Sequence, residues 1–163
     1  TVLGLGERAG NAPTEDIVMA LLTMYGIDIG INYGKLYPLA KMVEEISGIQ
    51  IPNNRSVVGD QLFQVESGII ANWFRNCGKE HQTELFPFRP EFVGQPAADV
   101  VMGKGSGIDS VRIWLEKIGV GASDEEAVAI LKEVKALGGS TKQLLTIEQF
   151  TTIVNRSVSQ KVA

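Results

Sequence analysis

The residues best suited to chemistry crowd into one stretch, Gly4-Leu-Gly-Glu-Arg-Ala-Gly-Asn11. It offers a carboxylate at Glu7, a guanidinium at Arg8 and an amide at Asn11, set between Gly4, Gly6 and Gly10. Val2, Leu3 and Leu5 predict the end of a buried parallel strand. Pro13-Thr14-Glu15-Asp16 opens a helical pattern. A strand, a polar glycine-rich turn and a helix start form the junction at which α/β proteins bind ligands. The same residues also read as a tight βα turn, in which glycines solve backbone geometry and Glu7 pairs with Arg8.

Other candidates are sparse. His81 is the only histidine and Cys77 the only cysteine. Both fall in or beside a polar loop, His81 as a solvated side chain or a proton carrier, Cys77 as a half-buried thiol. Gly103-Lys104-Gly105-Ser106-Gly107 precedes a helix and could cradle a phosphate, but it does not match the P-loop pattern. A glycine turn plus helix start is the simpler reading. Trp73, Phe74, Phe86, Phe88 and Trp114 read as core and dimer-contact residues. Glu44, Glu45, Glu125, Glu126 and Glu133 read as solvated helix faces.

Composition bounds the rest. The chain has 163 residues, 44% hydrophobic, with a formal net charge of -4. That length suits one medium domain or two small ones. No basic block offsets the acidic balance, so nucleic acid is not an expected partner. No apolar run reaches the length of a membrane span, so no membrane partner is expected either. One cysteine excludes an internal disulfide framework and fits a reducing cytoplasm. One histidine excludes a histidine-rich metal cage within the chain. A lone parallel strand cannot make a sheet. Thr1 is therefore expected to be a cut point in a longer protein, or the chain completes a sheet belonging to another polypeptide.

The elements that would position these residues are mostly helical. Thr14–Tyr25 reads as a helix apolar nearly all round, capped by Thr14, with Glu15 and Asp16 in the first turn. Lys35–Ser47 places Leu36, Leu39, Ala40, Val43 and Ile46 on one face. Short helices are predicted over 60–66 and 67–75. The prolines of Leu85-Phe-Pro-Phe-Arg-Pro90 exclude a helix there, and Pro90 to Val93 predicts a turn. Residues 99–102 predict a short strand, followed by a helix with Val111, Trp114, Leu115 and Ile118 on one face. Two capping boxes, Ser123-Asp-Glu-Glu126 and Thr146-Ile-Glu-Gln149, open the last helices, the first of them ending at Gly138-Gly139. The tail from Arg156 is expected to fray.

Taken together, these segments resemble one family along nearly the whole chain. Gly4-Leu-Gly-Glu-Arg-Ala-Gly-Asn11 resembles the strand-eight motif of the isopropylmalate, homocitrate and citramalate synthases, metal-dependent TIM-barrel enzymes. Val58-Gly-Asp, Glu66-Ser-Gly-Ile69, Phe88-Arg-Pro-Glu-Phe-Val-Gly94, Gly103-Lys-Gly-Ser-Gly107 and the Ser123 helix resemble later parts, in the same order. The resemblance implies a mainly α fold with few short strands (α+β). Residues 1–26 would be the final βα unit of a barrel, 27–83 a helical linking subdomain, and 84–163 a small helical subdomain. It implies an acyltransferase that condenses acetyl-CoA with a 2-oxo acid, using a divalent cation (Mg, Mn or Zn). Glu7 and Arg8 would be catalytic, Gly4 and Gly6 would line the substrate, and Asn11 would be the one metal ligand in this chain. The expected partners are the remainder of the barrel, a second copy in a homodimer, the 2-oxo acid and the acyl-CoA. Alone, the chain is expected to be inactive and to bind divalent metal weakly.

The departures from the family pattern concern proton transfer. The family histidine after Ser-Gly-Ile is Ile70 here, and the one before Glu-Ser-Gly is Val65. A family tyrosine is Leu85, and the histidine of Gly-Lys-His-Ser-Gly is Gly105. An aliphatic side chain cannot move a proton. His81 is the only histidine left for that work. The changes leave open a lyase or aldolase of the same superfamily, or a non-catalytic dimerising fragment.

Overall fold

The computed structural model describes residues 1–159. Six helices dominate: α1 (Thr14–Tyr25), α2 (Leu36–Ser47), α3 (Gly68–Cys77), α4 (Ile108–Lys117), α5 (Asp124–Thr141) and α6 (Ile147–Ser159). Two two-residue strands, β1 (Gln64–Val65) and β2 (Asp99–Val100), pair in parallel, with Val65 opposite Val100. The fold is α-rich α+β, the class expected.

The contacts divide the chain into two compact units, each made of two stretches. The first comprises Thr1–Phe63 and Gln82–Ala98; the second comprises Gln64–His81 and the chain from Asp99. In the first, α1 and α2 bury Val18, Met19, Leu36 and Ala40 against Tyr33, Val57, Val58, Phe63 and Val93. Phe63 meets Phe86 and Phe88 edge-on. In the second, β1, β2 and α3–α6 enclose Val100, Met102, Val111, Ile130, Val134, Phe150 and Ile153. Trp114 packs edge-on against Phe150 and donates its indole N–H to the Val100 carbonyl at 2.7 Å. These aromatics are core, whereas Trp73 is 47% exposed.

Several local expectations change. Val2–Gly4 is a turn of 3-10 helix rather than a strand. A strand needs a neighbour to take its N–H groups. Here the bonds are local, from Gly4 N to Thr1 O and Leu5 N to Val2 O. Residues 60–63 are turns and 64–65 form β1, not a helix, because Gly59 lies in a packed turn where a Cβ would meet the Arg55 backbone at 2.5 Å. Thr14 does not cap α1; Pro13 takes that position, and the Thr14 N–H goes to the Thr1 carbonyl at 2.9 Å. Helix α5 runs past Gly138-Gly139 to Thr141. Gly138 is needed there because a Cβ would fall 2.7 Å from Lys104 N. Along α2 only Leu36 and Ala40 are buried, while Leu39, Met42 and Ile46 face outward. Arg156 lies within α6; the tail beyond Ser159 falls outside the described residues. Both capping boxes form: Ser123 with Glu126, and Thr146 with Gln149.

Candidate functional site

The stretch Gly4–Asn11 folds into one corner leading into α1. Asn11 organises it. Its amide Nδ2 donates to the Arg8 carbonyl at 2.8 Å. The amide lies where a side chain on Gly6 would be, since a Cβ there would fall 2.0 Å from Nδ2. Gly4 has φ +69°, and a Cβ on it would lie 2.7 Å from the Asn11 carbonyl. The corner therefore requires glycine at both positions, once for backbone conformation and once for space. With Nδ2 committed, Oδ1 is the polar atom that Asn11 can present to a cation.

Glu7, Arg8 and Asn11 are exposed on this corner. No ion pair joins Glu7 to Arg8, so the pairing considered from sequence is not what holds the turn. An exposed guanidinium such as that of Arg8 can hold a carboxylate through paired donors. A hard divalent cation takes about six oxygen ligands, and the Asn11 amide oxygen could serve as one of them. Among the described residues, no group of three or more His, Cys, Asp or Glu side chains could complete such a site. The corner by itself fits a single ligand position.

What supports the corner is scarcely marked in the sequence. Glu15 is 2% exposed, not a solvated first-turn carboxylate. Its Oε2 accepts the Leu3 N–H at 3.1 Å. Arg55 Nη2 lies 2.7 Å from Asp16 and 3.9 Å from Glu15 Oε1. The signal available was the apolar setting of Glu15, between Pro13 and Val18 on a helix wanting burial nearly all round.

The other candidates belong to the second unit. His81 is exposed after α3, and Cys77 ends that helix half-buried. Val65 is buried in β1, Ile69 is 81% exposed at the start of α3, and Ile70 is half-buried. The 103–107 loop is no phosphate cradle. Gly105 N donates to Glu66 Oε1 at 2.7 Å, Gly103 N to Ser106 Oγ and Gly107 N to Ser110 Oγ. A carboxylate already occupies the place an anion would take. Leu85 is half-buried in the first unit. In the first unit Glu44 is no solvated acid, since it takes the Ile51 N–H at 2.6 Å and Lys41 at 2.7 Å.

Comparison with known proteins decides the family. No family model matches the chain. Homocitrate synthase AksA of Methanocaldococcus jannaschii is 37% identical over 161 residues, 99% of this chain and 38% of that relative. Homocitrate synthase 1 of Nostoc sp. is 38% identical over 154 residues, 94% of the chain and 40% of the relative. (R)-citramalate synthase CimA of M. jannaschii is 37% identical over 145 residues, 88% and 28% respectively. The chain matches a carboxyl-terminal portion of the isopropylmalate/homocitrate/citramalate synthase family. It spans roughly a third of the length of these relatives. No helix among the described residues is long and apolar enough to cross a membrane.

Proposed function

We propose that this chain is the closing portion of a divalent-metal-dependent acyltransferase that condenses acetyl-CoA with a 2-oxo acid. The observation that carries the reading is the Gly6–Asn11 arrangement. A glycine is held open so that one amide can be oriented beside Glu7 and Arg8, in a chain similar to homocitrate and citramalate synthases. In this reading the barrel precedes the corner, and Gly4 and Gly6 let the substrate approach the backbone. The Arg8 guanidinium holds a substrate carboxylate through paired donors, and the Glu7 carboxylate accepts a hydrogen bond or proton at the reacting end. Asn11 Oδ1 is one ligand among oxygen and imidazole donors outside this chain. A divalent cation bound there would polarise the oxo carbonyl.

The overall chemistry is a carbon–carbon bond formed between the acetyl methyl carbon and the oxo carbon. The methyl proton goes to a base, the oxo oxygen takes up a proton as it becomes a hydroxyl, and water cleaves the thioester to release free CoA. Ile70 and Val65 cannot serve as that base, which leaves Glu7 and His81 as this chain's candidate proton carriers. A homodimer is the expected assembly.

The test is thiol release from acetyl-CoA over a panel of 2-oxo acids, with the upstream barrel present. Oxo-acid-dependent release, lost in R8A and N11A, supports the proposal. Release of acetyl-CoA from hydroxyacyl thioesters without condensation would replace it with a lyase. H81A settles the proton carrier: an unchanged pH profile removes His81 from that role.

A further inference from the structure

We infer that Glu15 is a positioning residue for the Gly4–Asn11 corner, set by Arg55. Glu15 is 2% exposed, and glutamate is almost never so buried unless it is paired. One oxygen takes the Leu3 N–H at 3.1 Å. The other, Oε1, has no hydrogen-bond partner, and Arg55 Nη2 stands 3.9 Å away. A buried carboxylate left half-satisfied opposes folding, so packing alone favours an apolar side chain at this position.

What the carboxylate provides is a fixed point for Leu3. That residue sits at φ +57°, a region non-glycine residues rarely enter, immediately before Gly4. Holding its N–H holds the direction in which the chain enters the corner. Arg55 is itself held. It lies in a turn packed so closely that a Cβ on Gly59 would meet Asn53 O at 2.4 Å and Arg55 N at 2.5 Å. The buried Gln95 amide donates to the Val57 carbonyl at 2.8 Å and the Gly59 carbonyl at 3.2 Å, bracing that turn. Asp16 takes Arg55 Nη2 at 2.7 Å and the Ser56 hydroxyl at 2.6 Å. The line from Gln95 through the 53–59 turn, Arg55, Glu15 and Leu3 thus ends at the residues assigned to substrate. Its catalytic meaning rests on the function proposed above; its geometry does not.

The test compares E15M with E15Q in the full chain. Methionine matches the size of glutamate without its oxygens, and glutamine restores an acceptor for Leu3. In amide NMR spectra, E15M is expected to move or broaden the signals of Leu3 to Asn11 and expose the Leu3 N–H to exchange. The thermal midpoint does not fall, the signals of Gly34 and Gly94, which pack on each other, stay at wild-type positions, and E15Q returns the corner to wild type. An undisturbed corner in E15M, or a first unit that changes throughout, overturns the inference. With the upstream barrel present, E15M should lower kcat/KM for the oxo acid about 10–100-fold through misplacement, with the KM for acetyl-CoA unmoved. If wild type condenses nothing, the synthase reading fails while the NMR result still judges Glu15.

Discussion

Gly6 and Asn11 occupy one space: a Cβ on residue 6 would lie 2.0 Å from Asn11 Nδ2. The relationship makes a cross-prediction. G6A should displace the Asn11 amide and break its bond to the Arg8 carbonyl, costing about 1–3 kcal/mol by overpacking. Because N11A removes the obstructing atoms, the double variant G6A/N11A should be more stable than the sum of the single losses predicts. Urea midpoints of the four proteins measure the coupling, and simple additivity would show that the two residues do not share space.

Glu44 gives a pH prediction. The Ile51 N–H first, and Lys41 second, hold its carboxyl below the ordinary 4.5. A carboxylate with a depressed folded pKa contributes stability above its unfolded value and loses it as pH falls through the folded value. The urea midpoint should therefore fall as pH drops below about 4.5, and E44Q should flatten that fall. The same acid slope in wild type and E44Q would place the titration elsewhere. Lys41, raised chiefly by the Glu44 hydrogen bond and bonded also to Asp60 at 3.0 Å, stays charged throughout this range.

Val65 and Ile70 are not equivalent structurally. Val65 is 5% exposed and paired with Val100 in the two-stranded sheet. V65H should cost about 1–3 kcal/mol from overpacking, more for the unsatisfied imidazole. Ile70, half-buried on α3, should accept histidine at a cost below about 1 kcal/mol, in the range of tolerated partly exposed changes. Equal melting losses in the two variants would contradict this ordering.

In the second unit, Phe150 is fully buried against Trp114, with ring centroids 5.3 Å apart. F150A should cost about 3–5 kcal/mol by leaving a cavity. Trp114 near-ultraviolet dichroism should weaken with it. Retention of that signal at full strength would mean the rings do not order one another.

The Ser123 capping box gives the smallest effect. Its hydroxyl accepts the Glu126 N–H at 3.3 Å, and the Glu126 carboxylate takes the Ser123 N–H at 2.7 Å. S123A should lower stability by about 0.5–2 kcal/mol. S123D should retain most of it, because aspartate also accepts at this position.

Local signals determined the helices. Apolar spacing and Gly26 delimit α1, Gly48 ends α2 in a left-handed conformation, and the serine and threonine boxes start α5 and α6. Each involves residues within a turn or two of one another, so the sequence by itself contains the whole interaction. The family was legible the same way, through motifs in order. Tertiary structure decided what depends on distant partners. Val2–Leu5 reads as a strand but needs a neighbour to be one, and here its bonds close locally. Leu39 and Ile46 share an apolar stripe with Leu36, yet neighbouring segments cover only the Leu36 side. Residues 64–81 join the chain after Asp99 rather than their own neighbours, because Val65 pairs with Val100. The glycines of the corner were visible from the start. That Gly6 makes room for Asn11, and that a buried Glu15 steers Leu3, are consequences of backbone closure, which sets Gly6 against the Asn11 amide and brings the Leu3 N–H within hydrogen-bonding range of Glu15.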